Sequence, residues 1–200
     1  MAKQQLRAWK TISKRTILNP NRFLTVESHA VALPDGQVIL DWTWVKIPDA
    51  AIVLAMTQYS QFLCFRQIKY AIEGASLAPA AGMLEPGEAP LAAAQRELLE
   101  ETGYIASEWV SLGSYILDPN RGIATMHLFL ALHSKQVADP NSDDLEDQEI
   151  LLLSRDEIEN ALRAGEFKIL AWSAVVAFAL QYLDHRAARS NPADTADRVI

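Results

Sequence analysis

The chain has 200 residues, a formal charge of −7 at pH 7 and a hydrophobic half, which suits one domain, or one with a small appendage, and excludes broad disorder. A single cysteine, Cys64, excludes an intramolecular disulfide framework and a cysteine-rich zinc site, and the acidic balance argues against nucleic acid as a partner. The longest apolar run, Ile169–Leu180, has 12 residues with a serine inside, short of the ~20 that span a bilayer, so no membrane is expected. The opening MAKQQLRAWKTISKR lacks the apolar stretch of a secretory signal, and the expectation is a soluble, cytoplasmic protein.

Before the first acid, Glu27, stand Lys3, Arg7, Lys10, Lys14, Arg15 and Arg22. This basic arm reads as a solvated, partly frayed terminus; the alternative is an arm that steers an anion or touches a neighbouring chain. Phe23–Ala32 and Gln37–Val45 flank Pro34-Asp35-Gly36 and predict a hairpin. Ala51–Thr57 is continuously apolar, as in a strand covered on both faces, and pairs across a turn at Gln58–Ser60 with a strand at Gln61–Tyr70. A Gly/Ala/Pro-rich stretch, GASLAPAAG over 74–82, leads to a helix over Glu88–Thr102. Strands follow at Trp109–Leu117, Ile123–His133 and Ile150–Leu153, with an acidic loop over 138–149, six acids and no base, before the last. Helices over Arg155–Ala164 and Ile169–Leu183 close the fold, and a loose tail follows His185. The pattern predicts an α+β fold with a mixed sheet packed between helices, plus a small N-terminal antiparallel β subdomain. The expected division is an arm and hairpin over 1–46, a main domain over 47–184 and a tail over 185–200.

The chemistry concentrates in 82-GMLEPGEAPLAAAQRELLEETGY-104. Leu91, Ala94 and Leu98 share a helix face suited to a core, and Gly103 fits the left-handed position that ends a helix. Glu97, Glu100 and Glu101 fall at i, i+3 and i+4, so their carboxylates converge and repel. Arg96 offsets Glu100, leaving Glu97 and Glu101 for a cation. Oxygen-only ligation suits Mg²⁺ or Mn²⁺, and such ions bridge carboxylates to substrate phosphates, which points to metal-assisted phosphoryl or pyrophosphoryl chemistry. A solvated acidic helix face with one Arg–Glu pair is the plainer alternative.

The spacing Gly82, five residues, Glu88, seven residues, then Arg96-Glu97-Leu98-Leu99-Glu100-Glu101-Thr102-Gly103-Tyr104 resembles the complete signature of the Nudix hydrolase family. A chance match in such a chain is on the order of 10⁻⁷ from ordinary residue frequencies. The resemblance implies an α/β/α sandwich that hydrolyses a nucleoside diphosphate linked to another moiety. It also implies metal ligation by Glu97, Glu100, Glu101 and the backbone carbonyl of Ala81, with Arg96 orienting the carboxylates and Glu88 bracing the loop or reaching an outer metal. Gly82 is expected to permit the tight turn into the motif.

Flanking residues resemble the ADP-ribose pyrophosphatase branch. Pro119 lies 16 residues beyond Gly103, near that branch's marker proline. In 62-FLCFRQIKY-70, Gln67 and Lys69 stand where ligand-contacting residues are expected, with lysine in place of the usual arginine. Two departures accompany these. Ala78-Pro79-Ala80-Ala81-Gly82 replaces the usual Glu-Leu-Pro-Ala-Gly, and Gln148 falls where the late acidic loop normally supplies a glutamate base, so the expected base is its neighbour Glu146, with Glu149 or a helix glutamate as the other choices. Arg121 is a candidate phosphate contact from a loop, an exposed turn arginine otherwise. Trp42 and Trp44 share one hairpin face and either stack on an adenine, seal a dimer or pack the hairpin. His29, His127, His133 and His185 lack metal spacing and read as structural or surface residues; Cys64 reads as a buried small hydrophobe. The resulting expectation is a Mg²⁺-dependent homodimeric hydrolase of ADP-ribose or a related nucleoside diphosphate sugar. The alternatives are NADH, a dinucleoside polyphosphate or a coenzyme A derivative as substrate, or a nucleotide sensor without turnover.

Overall fold

The computed structural model describes residues 6–141 and 147–190. The chain divides into two compact units, one of residues up to Asp49 with Tyr115–Thr125, the other of Ala50–Ser114 with the chain from Met126 onward.

The first unit contains a three-stranded antiparallel sheet, β1 (Lys10–Asn21), β2 (Leu24–Ala32) and β3 (Val38–Lys46), with β2 central. The β2–β3 hairpin turns as expected, the Gly36 amide donating to the Leu33 carbonyl at 3.0 Å. β1 corrects the reading of the basic arm as frayed. Thr11, Ile12, Thr16 and Ile17 are β-branched and favour extended backbone, and the charges of Lys10, Lys14 and Arg15 are carried on an exposed strand.

The second unit is built on a mixed sheet of β4 (Ala50–Thr57), β5 (Phe62–Gln67), β6 (Ser76–Ala78), β7 (Ala80–Met83), β8 (Tyr104–Ile105), β9 (Glu108–Asp118), β10 (Ile123–Gln136) and β11 (Gln148–Leu153). The main path runs β11-β5-β4-β10-β8, with β6 on β5, β7 on β4 and β9 on β10. β10 is parallel to β4, while β5 and β7 are antiparallel to it. The tips of β9 and β10, within Tyr115–Thr125, group with the first unit. Helix α1 (Pro90–Thr102) packs on β7 and β4, α3 (Leu170–Ser190) on β4, and α2 (Arg155–Arg163) on α3 and β11, an α/β/α sandwich. Ala51–Ala55 of β4 are all almost fully buried, the expected strand covered on both faces. Burial pushes the Cys64 thiol up to about 12, which suits a packing residue rather than a nucleophile.

Several boundaries differ from expectation. The strand expected over Gln61–Tyr70 ends at Gln67, and the Gly/Ala/Pro-rich stretch contains two short strands, β6 and β7, whose small residues lie close against β5 and β4. Leu91 is 41% exposed, because the buried face of α1 runs through Ala93, Ala94, Leu98, Glu101 and Thr102 instead. α3 extends to Ser190, past the expected end at Leu183, so the first residues of the expected tail are helical.

Candidate active site

α1 begins with Pro90 at its first position, where the missing N–H costs nothing, and ends at Gly103 with φ 73°. A side chain at Gly103 would strike the Ala138 carbonyl, so both the left-handed turn and the close passage of the following chain require glycine. Between these ends, α1 presents its charged residues toward β7.

Arg96 organises them. Its Nε and Nη2 donate to the two oxygens of Glu88, each at 3.0 Å, a bidentate pair. Nη1 donates to Glu97 Oε1 at 2.7 Å and to Glu100 Oε2 at 3.1 Å, and Nη2 also reaches the Met83 carbonyl at 3.1 Å. Arg96 therefore offsets three carboxylates rather than Glu100 alone. Glu88 accepts the Glu85 amide at 2.9 Å as well, so it closes the loop before the helix and serves as a brace. These bonds, Arg96 first, hold the Glu88 carboxyl below the usual carboxylate range. The Glu88 contacts in turn raise the Arg96 guanidinium further above its ordinary value.

Glu101 is 9% exposed, and its Oε2 accepts the Ala81 amide at 3.0 Å. Ala81, expected as a carbonyl ligand, thus stands beside Glu101 on β7. Gly82 corrects the expectation of a tight turn: it lies within β7, and a Cβ there would occupy the place of the Glu97 carboxylate. The position needs glycine for space.

The other expected site residues are distributed more widely. Gln67 is 6% exposed at the end of β5, in register with Ser76 on β6 and Gln148 on β11. Side-chain alternation from the Ala55–Leu63 pair puts Gln67 and Gln148 on the sheet face that Gly82 occupies. Glu149 is opposite Arg66 with an ion-pair distance of 3.9 Å, hence on the other face. Lys69 lies half-buried beyond the strand. Glu146 lies outside the described residues.

Pro119 and Arg121 belong to the first unit. Pro119 lines a cavity of about 430 Å³ with Trp44, Lys46 and Asp49. Arg121 is paired with Asp118 at 3.2 Å, and its carbonyl accepts the Val45 amide. Trp42 donates from Nε1 to the Asn120 carbonyl at 2.7 Å, and Trp44 stacks on His29 with centroids 5.1 Å apart. Both indoles thus pack within this unit.

The helix and β7 supply hard oxygen donors, with a carboxylate lodged over Gly82 in a cradle that any side chain would fill. That donor chemistry fits Mg²⁺ or Mn²⁺. Among the described residues no three such groups converge as a ready ligand set, since Arg96 holds Glu97 and Glu100, and the Ala81 amide holds Glu101. The Met83 carbonyl was illegible in sequence, because a backbone acceptor has no residue signature.

Residues 45–173 match the NUDIX domain and residues 9–45 the nucleoside diphosphate sugar hydrolase N-terminal domain. The chain is 30% identical over 174 residues to an ADP-ribose pyrophosphatase of Bacillus subtilis (strain 168), covering 87% of this chain and 91% of that protein. It is 31% identical over 176 residues to a methanol dehydrogenase activator of Bacillus methanolicus, with 87% and 91% covered. A CMP-5'-(N-acetyl-N-hydroxy-3-aminopropyl)phosphonate hydrolase of Streptomyces rubellomurinus (strain ATCC 31215) is 28% identical over 151 residues, with 74% and 71% covered. Among solved structures, an ADP compounds hydrolase superposes with a TM-score of 0.76 at 18% identity, over 92% of this chain and 98% of that one, a likeness of fold. With a family match across more than half its length and the signature assembled around Arg96, the chain belongs to the Nudix family of hydrolases.

Proposed function

We propose that this Nudix hydrolase is a Mg²⁺-dependent pyrophosphohydrolase of ADP-ribose or a related nucleoside diphosphate sugar, releasing AMP and ribose 5-phosphate from ADP-ribose. The observation that carries it is the carboxylate cluster held by Arg96 against Gly82. The substrate class is supported by the named activity of the Bacillus subtilis relative and by the N-terminal domain match.

In this reading Glu97, Glu100, Glu101 and the Ala81 carbonyl hold Mg²⁺ or Mn²⁺, which supplies Lewis acidity at the pyrophosphate. Arg96 holds Glu97 and Glu100, Glu88 fixes Arg96, and the carboxylates would exchange part of that pairing for the ion. Glu146 accepts the proton of the attacking water. Gln67, Lys69, Pro119 and Arg121 are the proposed substrate-binding residues. The domains divide at 46/47, with the tail beginning at 185. The protein acts in the cytoplasm as a homodimer that pairs through its N-terminal sheet. Light scattering at micromolar concentration tests the pairing, and a monomer would end that claim.

The activity is tested by turnover of ADP-ribose, other diphosphate sugars, NADH, diadenosine polyphosphates and coenzyme A with Mg²⁺, using wild type and Glu101→Gln. ADP-ribose cleavage to AMP is expected, reduced by about 100-fold or more in the variant. Turnover of another panel member would keep the mechanism and replace the substrate. Undiminished turnover in Glu101→Gln would overturn the mechanism, and tight binding without turnover would favour a sensor.

A further inference from the structure

Three neighbouring strands place one histidine on the sheet face that carries the carboxylate cluster. His127 on β10 is opposite Ala51 on β4, and Ala51 is opposite Gly82 on β7. Residues opposite each other in a ladder project from the same face. His127 therefore stands on the face where the Glu97 carboxylate covers Gly82. Two strand spacings, about 10 Å, separate the His127 and Gly82 backbones. The residue between them is Ala51, 0% exposed, whose side chain ends at Cβ. An imidazole and a carboxylate thus stand on one sheet face, on either side of the buried Ala51.

A second observation fixes the ring. Ser114 Oγ on β9 meets His127 Nδ1 at 2.8 Å. Just before it, Gly113 sits within the strand at φ 111°, a backbone state that L side chains rarely adopt, and such irregularities re-aim the next side chain. β9 borders β10 on the side away from β4. Nδ1 is thus engaged from β9, and Nε2 is the ring nitrogen left for a ligand. Both residues are accessible to a ligand, His127 half-buried and Ser114 exposed.

We propose that His127 contacts a phosphoryl oxygen of the substrate through Nε2, with Ser114 as the positioning residue that donates into Nδ1 and so leaves the proton on Nε2. The proposal rests on the reading of the glutamate cluster as the catalytic centre. It assigns a role to a histidine whose spacing suggested only structure, because its partners come from other strands.

Glutamine places its amide near the Nε2 position and asparagine near Nδ1, so the two substitutions separate the roles. His127→Asn is expected to lower kcat/KM by about 10- to 100-fold, as for one lost hydrogen bond to a charged group. His127→Gln should recover most of that, and Ser114→Ala should lose about 3- to 10-fold, consistent with a neutral hydrogen bond. The kinetics are measured on whichever panel member turns over fastest, alongside calorimetric binding of inorganic pyrophosphate with Mg²⁺ and thermal melting. Wild-type kcat/KM in His127→Asn, or equal losses in the Asn and Gln variants with unchanged melting, would overturn the proposal. If wild type turns over nothing, the glutamate reading fails separately. Pyrophosphate affinity then decides: weaker binding in His127→Asn supports the contact, and unchanged binding removes it.

Discussion

The two units of this chain distribute polarity in opposite ways. In the Nudix unit, aliphatic strands are sealed between helices, and the carboxylates of Glu88, Glu97 and Glu100 stand at the edge of that core, held by one arginine. In the N-terminal unit a carboxylate and an imidazole are inside, Glu27 7% and His29 3% exposed, while Leu40 is 74% and Ile12 58% exposed. The first arrangement gathers carboxylates around a single guanidinium. The second leaves apolar area in water that only further burial would recover. One unit gathers its charge at the motif helix, and the other exposes aliphatic side chains on its sheet.

The sharpest way to break the first half of that contrast is Gly82→Ala. The atoms nearest to the added methyl are those of the Glu97 carboxylate, the end of a flexible side chain that can swing aside, so the core should lose little stability. The carboxylate would leave its place, and activity should fall by about 10- to 100-fold, as when an orienting partner of a metal ligand is lost. Thermal melting and kcat/KM measured together check this. Equal losses in both would mean that Gly82 serves the fold rather than the site.

A smaller effect tests the inverted polarity of the other unit. Glu27 accepts from Lys46 at 2.5 Å and meets His29 at 2.8 Å. His29 first, and Lys46 next, hold its carboxyl below the usual carboxylate range. A depressed folded-state value means that this stabilisation is present above the unfolded value near 4.5 and is lost as pH falls through the folded one. Lys46 is half exposed, so Glu27→Gln should cost about 1–2 kcal/mol at pH 7. The variant should also lose less stability than wild type between pH 5 and pH 3. Denaturant titrations at both ends of that range are the check, and parallel pH profiles would refute the assignment.

How far sequence carried differs between the units for a physical reason. The Nudix helix, its glycine end and its converging glutamates follow from local spacing, so Arg96, Glu97, Glu100 and Glu101 were legible at once. What escaped depends on other strands: the Met83 carbonyl, the space that demands Gly82, and the Ser114–His127 pair, each fixed by register rather than by a run of residues. β1 escaped for the opposite reason. Its lysines and arginine dominated the reading, although Thr11, Ile12, Thr16 and Ile17 carried a strand signal. Glu27 and His29 gave no hint of burial, because alternation along β2 shows which residues share a face but not which face is covered.

The least effect on the isolated protomer, and the most telling on the second half of the contrast, belongs to Leu40. Strand addition along β1 is disfavoured by Lys10 and Lys14 on that edge, a common guard against it. The proposed pairing of protomers would then use apolar side chains rather than backbone, and Leu40 on β3 is the most exposed aliphatic residue of that sheet. In a lone protomer Leu40→Lys should change stability by no more than about 0.5 kcal/mol, because little area is buried there. Against a second copy the same ammonium would have to be desolvated without a partner, a cost far larger than the stabilisation from burying its aliphatic stem. Light scattering at micromolar concentration should then show wild type as a dimer and Leu40→Lys as a monomer with near-wild-type melting. A variant that stays dimeric would place the pairing surface elsewhere, and the exposed leucine would be an ordinary feature of an open sheet.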